Sequence, residues 1–344
     1  MANTYTKPAP VASPLQSKPK AGDLRIANRN NMSQWQLVAA RFRKHRMGMI
    51  SLWVIFIILL LALLVPFLSP FERDEINLGN TFQLPLSFDQ ADGRFHIFGT
   101  DRLGRDLFTR VLYGTRVTLF VAISTTVLSL LIGGLFGTIA GYFRGKIDTV
   151  LSRFLEIVAL LPDFPILLIL SAIVIADPRL IPFPSFVTAP IGALLLLEER
   201  YARVVAATIL VLVLLGWTGA ARLMRGQVLS VRERDYIEAT RALGGSPWRI
   251  MLKHVVPNAM PPLIVAFGLG LAGALSTETA LSFLGVGITE PTPTLGNILS
   301  QANSDVLKVG WLPLIPSIPV FLCALAFNYI GDGLRSALDP RANH

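Results

Sequence analysis

Two carboxyl groups stand in stretches otherwise fit for a lipid interior: Asp163 in "LLPDFP" and Glu278 in "LSTETALSF". Ionisable groups inside membrane segments are costly, and where they occur they commonly mark a proton or ion path. Asp163 lies between two prolines, which free backbone carbonyls nearby. Each acid also has a plainer role. Asp163 can start a helix at the membrane interface, and Glu278 can join two helices by a hydrogen bond. A third stretch is suited to mechanical work rather than to chemistry. It is Tyr236–Asn258, "YIEATRALGGSPWRIMLKHVVPN". Asp235 to Leu243 holds good helix formers and no Gly or Pro. Gly244 and Gly245 stop that helix. Ser246 suits an N-cap and Pro247 the first helical position of a second helix. That helix is predicted to present Trp248, Met251, Leu252 and Val255 on one side. The result is a helix–turn–helix compact enough to dock in a groove of another protein.

Other chemistry is absent from the sequence. There is no G-x-x-x-x-G-K-[ST] phosphate loop; "GYFRGKI" has too short a spacing and no Ser or Thr after its lysine. The chain is therefore expected not to be an enzyme and to hold no ATPase site of its own. The four histidines show no metal-ligand spacing. The single cysteine, Cys323, lies in an apolar run, can form no internal disulfide and is read as a packing residue.

The elements that must position these residues are membrane helices. Of 344 residues, 52% are hydrophobic and 15% charged, against roughly 25% charged in soluble domains. Charge-free runs cover Met47–Phe71, Val117–Phe143, Val204–Ala221, Val255–Thr277 and Val309–Ile330. About 20 apolar residues carry a helix across a core of roughly 30 Å, and the alternation of barrel strands is missing. Six transmembrane helices are predicted, at about 48–69, 114–142, 150–176, 202–222, 256–288 and 310–331, in an all-α integral membrane protein. In the second, Gly133, Gly137 and Gly141 recur every four residues, a spacing that lets backbones approach closely. Residues 1–22 read as disordered. "MSQWQLVAARFRKHR" reads as an interfacial amphipathic helix with Trp35, Val38 and Phe42 on one face. The polar first 46 residues do not read as a cleavable signal peptide.

Charge sets the orientation. Formal net charge is +9, with nine Lys or Arg in residues 1–46 and seven in Arg222–Lys253, whereas the five of Ser69–Tyr113 are accompanied by seven acids. Contact with a membrane surface, not nucleic acid, is expected. The stretch 181–197, "IPFPSFVTAPIGALLLL", has no charge but three prolines. A seventh crossing there would put the basic hairpin on the face opposite the basic N-terminal tail, against the positive-inside rule. It is read as an external re-entrant or surface segment that can continue into the fourth helix, with both termini cytoplasmic.

A family resemblance gathers these features. Glu238-Ala239-Thr240, Gly244 and then Pro257 resemble the EAA loop of ABC-transporter permeases. "FGTDRLGRDLFTRVLYGTRVTL" (Phe98–Leu119), "GYFRGKID" (Gly141–Asp148), "ETALSFLGVG" (Glu278–Gly287), "PTPTLGNIL" (Pro291–Leu299) and "AFNYIGDGLRSALDPR" (Ala326–Arg341) are similar to segments of the C-type subunit of dipeptide or oligopeptide importers. Thr240, Leu295 and the extra sequence near 181–200 depart from that pattern. The resemblance implies a type I ABC importer permease fold, with a cytoplasmic tail over residues 1–46, a transmembrane domain over 47–344 and a coupling hairpin at about 231–257. It implies a multi-pass protein of a bacterial or archaeal cytoplasmic membrane that forms half of a path for peptides or related small solutes. The implied partners are a second permease subunit, two cytoplasmic ATPase subunits that use ATP and Mg, and an extracytoplasmic binding protein. No cofactor would be bound by this chain. The implied coupling residues are Tyr236, Glu238, Ala239, Arg241, Ala242 and Gly244, with Glu278 and Asp163 as candidates for the path. The alternative reading of the two acids is an ion-coupled secondary transporter.

Overall fold

A computed structural model describes residues 34–89, 93–177 and 180–338. The predicted disordered stretch 1–22, the side chain of Trp35 and the last six residues lie outside them. In chain order the helices are α1 (Gln34–Phe42), α2 (Arg46–Leu68), α3 (Leu107–Phe143), α4 (Gly145–Ala159), α5 (Asp163–Ala176), α6 (Ser185–Leu195) and α7 (Glu199–Arg232). The hairpin follows as α8 (Asp235–Ala242), α9 (Pro247–Ile250), a π turn (Met251–Val255) and α10 (Val256–Ala259). Then come α11 (Pro261–Phe283), α12 (Leu295–Ser304) and α13 (Leu314–Leu338). A two-stranded ribbon, β1 (Ser87–Phe88) with β2 (Phe95–His96), lies in the loop before α3.

Among the described residues, five helices are long and apolar enough to cross a bilayer: α2, α3, α7, α11 and α13. A sixth crossing exists only if α4 and α5 count as one, and they are bent by 83°. This corrects the single helix predicted over 150–176. Pro162 has no N–H to give the ladder and disfavours helical backbone at Leu161, so the chain breaks before Asp163. Other boundaries shift for equally local reasons. Helix α3 starts at Leu107 because the Asp106 carboxylate accepts the backbone N–H of Thr109 at 2.8 Å. The predicted fifth helix divides into α10 and α11, with Pro261 and Pro262 opening the second piece.

The centre of the bundle is the α3–α7 pair, and the glycine stripe is what brings it together. A Cβ at Gly133 would lie 2.5 Å from the Trp217 carbonyl oxygen, and one at Gly137 would lie 2.4 Å from that of Ala221. No side chain fits there, so the two backbones pack directly. On one side Leu119, Leu271, Leu275, Cys323 and Phe327 join α3, α11 and α13. On the other, Ile191, Leu195, Ala202 and Val205 seat α6 against α7. With 11 residues α6 is too short to cross. It does not continue into α7: Leu196 closes it with a φ of 57°.

The bundle has two distinct ends. At one, the residue 69–106 loop folds into a cap in which His96 Nδ1 meets Asp106 Oδ1 at 2.8 Å. At the other lie the hairpin, the start of α2 and the end of α13. There α1 rests on α13, with Arg41 donating to the Ala337 carbonyl at 3.5 Å.

Candidate functional site

The hairpin forms as its residue types require. Asp235 and Glu238 fall in the first turn of α8, where the helix dipole favours negative charge. The chain leaves α8 through Gly244 at a φ of 79°, a left-handed conformation that glycine adopts without strain. Nothing lies within 4 Å of where a Gly244 Cβ would stand, so the turn faces open space. Ser246 occupies the N-cap position of α9, but its side chain makes no capping bond.

The inner face is fixed. Ile237, Ile250, Met251 and Val255 are buried with Tyr142, Met224, Val228 and Val231 at the ends of α3 and α7. The side predicted to hold Trp248, Met251, Leu252 and Val255 together is divided: Met251 and Val255 point inward, while Trp248 and Leu252 are exposed. Ile250 takes an inward place as well, just before the π turn of Met251–Val255. The outer face is bare. Tyr236, Glu238, Ala239, Arg241, Ala242 and Gly244 are all exposed, and Leu243 beside the turn is 88% exposed. Glu238 has no side-chain partner among the described residues.

The two membrane acids part company. Asp163, at the start of α5, is on the wall of a cavity of about 370 Å³ between α3, α5, α7 and α11. Glu278 is off that wall and fully buried. Ser282 Oγ donates to its Oε1 at 2.8 Å and in turn accepts the backbone N–H of Ile288, so Glu278 ties the end of α11 to the turn that follows.

One cluster escaped the sequence reading. At the capped end, Glu290 takes Arg110 at 2.6 Å, Arg105 at 2.9 Å and the Gln301 amide at 2.6 Å. Arg105 also pairs with Asp101 at 2.7 Å. Burial alone would raise the Glu290 carboxyl, but the Arg110 and Arg105 guanidiniums outweigh it and hold it below the ordinary glutamate value. Arg110 and Glu290 are 180 residues apart in the chain, and nothing in their local spacing announces the pair.

The chain is similar to known transport proteins. The family described as "Binding-protein-dependent transport system inner membrane component" matches residues 133–344, and the "N-terminal TM domain of oligopeptide transport permease C" matches residues 33–85. The oligopeptide transport system permease protein OppC of Bacillus subtilis is 31% identical over 93% of this chain and 94% of its own length. The dipeptide transport system permease protein DppC of the same organism is 34% identical over 91% of this chain and 88% of its own. A solved inward-facing MetNI methionine ABC transporter aligns with 66% of this chain and 96% of its own at 19% identity and a TM-score of 0.47. The ion-coupled reading of the two acids finds no support among these relatives. The sequence matches run through the first span, the central pair, the hairpin and the last span, and on them this chain belongs to the family of binding-protein-dependent transport system inner membrane components.

Proposed function

We propose that the chain is a permease subunit of an ATP-driven importer of peptides or related small solutes. In this reading it forms half of the path beside a second permease subunit. An extracytoplasmic binding protein delivers solute at the capped end. Two cytoplasmic ATPase subunits bind ATP and Mg²⁺, and the hairpin of each permease seats in one of them. The observation that carries the reading is the two-sided hairpin: its inner face is locked to α3 and α7, and its outer face, with Tyr236, Glu238, Arg241 and Leu243, is exposed. Displacing such a hairpin must move the central pair with it. Arg225 on α7, gripping Asp148 of α4 at 2.5 and 2.9 Å, extends that motion to the bent third segment.

The outer face offers a charge at Glu238 and apolar surface at Tyr236, Leu243 and Trp248. A charge-assisted hydrogen bond from Glu238 would contribute roughly 1.5–3 kcal/mol to docking. A side chain at Gly244 would hold a positive φ at a cost of about 1–2 kcal/mol and would thicken the part that enters the cleft. Glu238→Ala and Gly244→Val are expected to leave insertion intact and to lower transport sharply, through weaker ATPase binding or lost substrate-stimulated hydrolysis. Arg249→Gln, on the same surface, should change little. Full transport by the double variant would reduce the hairpin to a membrane-surface anchor.

A further inference from the structure

We propose that the cavity between α3, α5, α7 and α11 is a station for the positively charged end of the passing solute, with Asp163 as its counter-ion; the inference rests on the permease reading above. At about 370 Å³ the cavity is within the range of small-ligand sites, roughly 300–1,000 Å³. Among the described residues, Asp163 is the one ionisable residue on its wall. No ion pair or side-chain hydrogen bond engages it among the described residues.

The rest of the wall is uncharged among the described residues. Thr125 and Ser129, one turn apart on α3, are 5% and 7% exposed and line the same cavity. Their hydroxyls have no hydrogen-bond partner among the described residues. Their neighbour Thr126 behaves ordinarily, donating to the Ala122 carbonyl of its own helix at 2.8 Å. Both hydroxyl oxygens are themselves almost without accessible surface, so the Asp163 carboxylate is the charged group that an occupant of the cavity can reach. Gly216 and Gly219 on α7 and Gly270 and Gly273 on α11 leave room in the facing walls between Leu212, Leu215, Leu223 and Thr277.

Asp163 is exposed at the edge of an otherwise uncharged wall, and a negative group at the mouth of an apolar cavity concentrates cations and repels anions. An ammonium entering the cavity can donate to the Asp163 carboxylate. A carboxylate end has no cation to meet there, so the site orients a solute that carries both charges.

The test reads the field of the cavity without any partner protein. Gly219 and Gly273 line the cavity, and a Cβ at either would touch nothing within 4 Å, so Gly219→Cys and Gly273→Cys introduce thiols without a clash. Native Cys323 is 0% exposed and gives no background. The full chain in lipid nanodiscs is labelled with trimethylammonium-ethyl or with sulfonatoethyl methanethiosulfonate. After correction for their rates with a free thiol, the cationic reagent should react at least about tenfold faster, and Asp163→Asn should bring the ratio close to one. A ratio near one with Asp163 present, or one unmoved by Asp163→Asn at both reporters, overturns the proposal. In the assembled transporter, Asp163→Asn should lower ATP-driven uptake of a lysine-containing tripeptide relative to a glutamate-containing one, each compared at saturating binding protein; an unchanged ratio would also overturn it. Absence of any ATP-driven uptake by the unaltered chain would instead sink the permease reading, while the labelling ratio would still decide the charge of the cavity.

Discussion

Arg110 is a charge with almost no water: 1% exposed, inside the first turn of α3, and dependent on Glu290. Removing one partner of a buried pair leaves the other uncompensated, at a cost of about 3–5 kcal/mol in fully buried cases. Glu290 is about a third exposed, so the lower end applies. Glu290→Gln should therefore destabilise the capped end by up to about 3 kcal/mol, read as a lower midpoint of thermal unfolding in detergent. The pH dependence follows from the direction of the Glu290 shift. Its folded carboxyl titrates below its ordinary value of about 4.3, so its contribution is fully present above that pH and is lost as pH falls through the lower folded value. The midpoint should drop on acidification in that window, and by less in Glu290→Gln; equal slopes would remove Glu290 from the account. Glu238 and Gly244 were legible because residue type and local spacing say enough about a helix start and a left-handed turn. The Arg110–Glu290 pair was not, because its partners meet only through the tertiary fold.

At the scale of elements, what was legible is whatever repeats along one helix. Charge-free runs gave the five long spans, since lipid leaves backbone groups no partner outside a helix. The four-residue glycine stripe gave a close contact, although not its partner, which the structure identifies as α7. The 83° bend and the π turn were not legible. Each is a local choice between helical geometries of similar energy, settled by what packs alongside. The cavity was equally hidden, because its wall is assembled from four helices that lie apart in sequence. The glycine stripe allows a direct test. At Gly137 an added side chain would start 2.4 Å from the Ala221 carbonyl oxygen and 2.9 Å from the Met224 Cβ. Both belong to the facing helix, so neither can swing away. Gly137→Val should cost at least about 1–3 kcal/mol through overpacking and lower the amount of protein recovered folded. Gly226→Ala on α7, where an added Cβ meets nothing within 4 Å, should be neutral or stabilising by up to about 1 kcal/mol. Similar losses in both variants would mean that the stripe has no special role.

For the whole molecule, the open question is which end of the bundle faces which compartment. The start of α2, the end of α13 and the basic hairpin share one end, and the cap, in which acids outnumber bases, occupies the other. Lys and Arg collect on the cytoplasmic side of membrane proteins, which predicts the hairpin inside and the cap outside. Helix α6 is diagnostic because it packs on the first turns of α7, while Ser230 lies near the other end of that helix. The 34 residues of α7 measure about 50 Å, longer than the roughly 30 Å of a hydrocarbon core, so Ser185 and Ser230 should emerge on opposite faces. Both are exposed, and Cys323 is buried. In right-side-out vesicles, an impermeant thiol reagent should therefore label Ser185→Cys directly and Ser230→Cys only after the membrane is opened. Labelling of both from the same side would mean that α6 or the bent α4–α5 pair crosses differently. The hairpin would then lie on the face that cytoplasmic ATPases cannot reach.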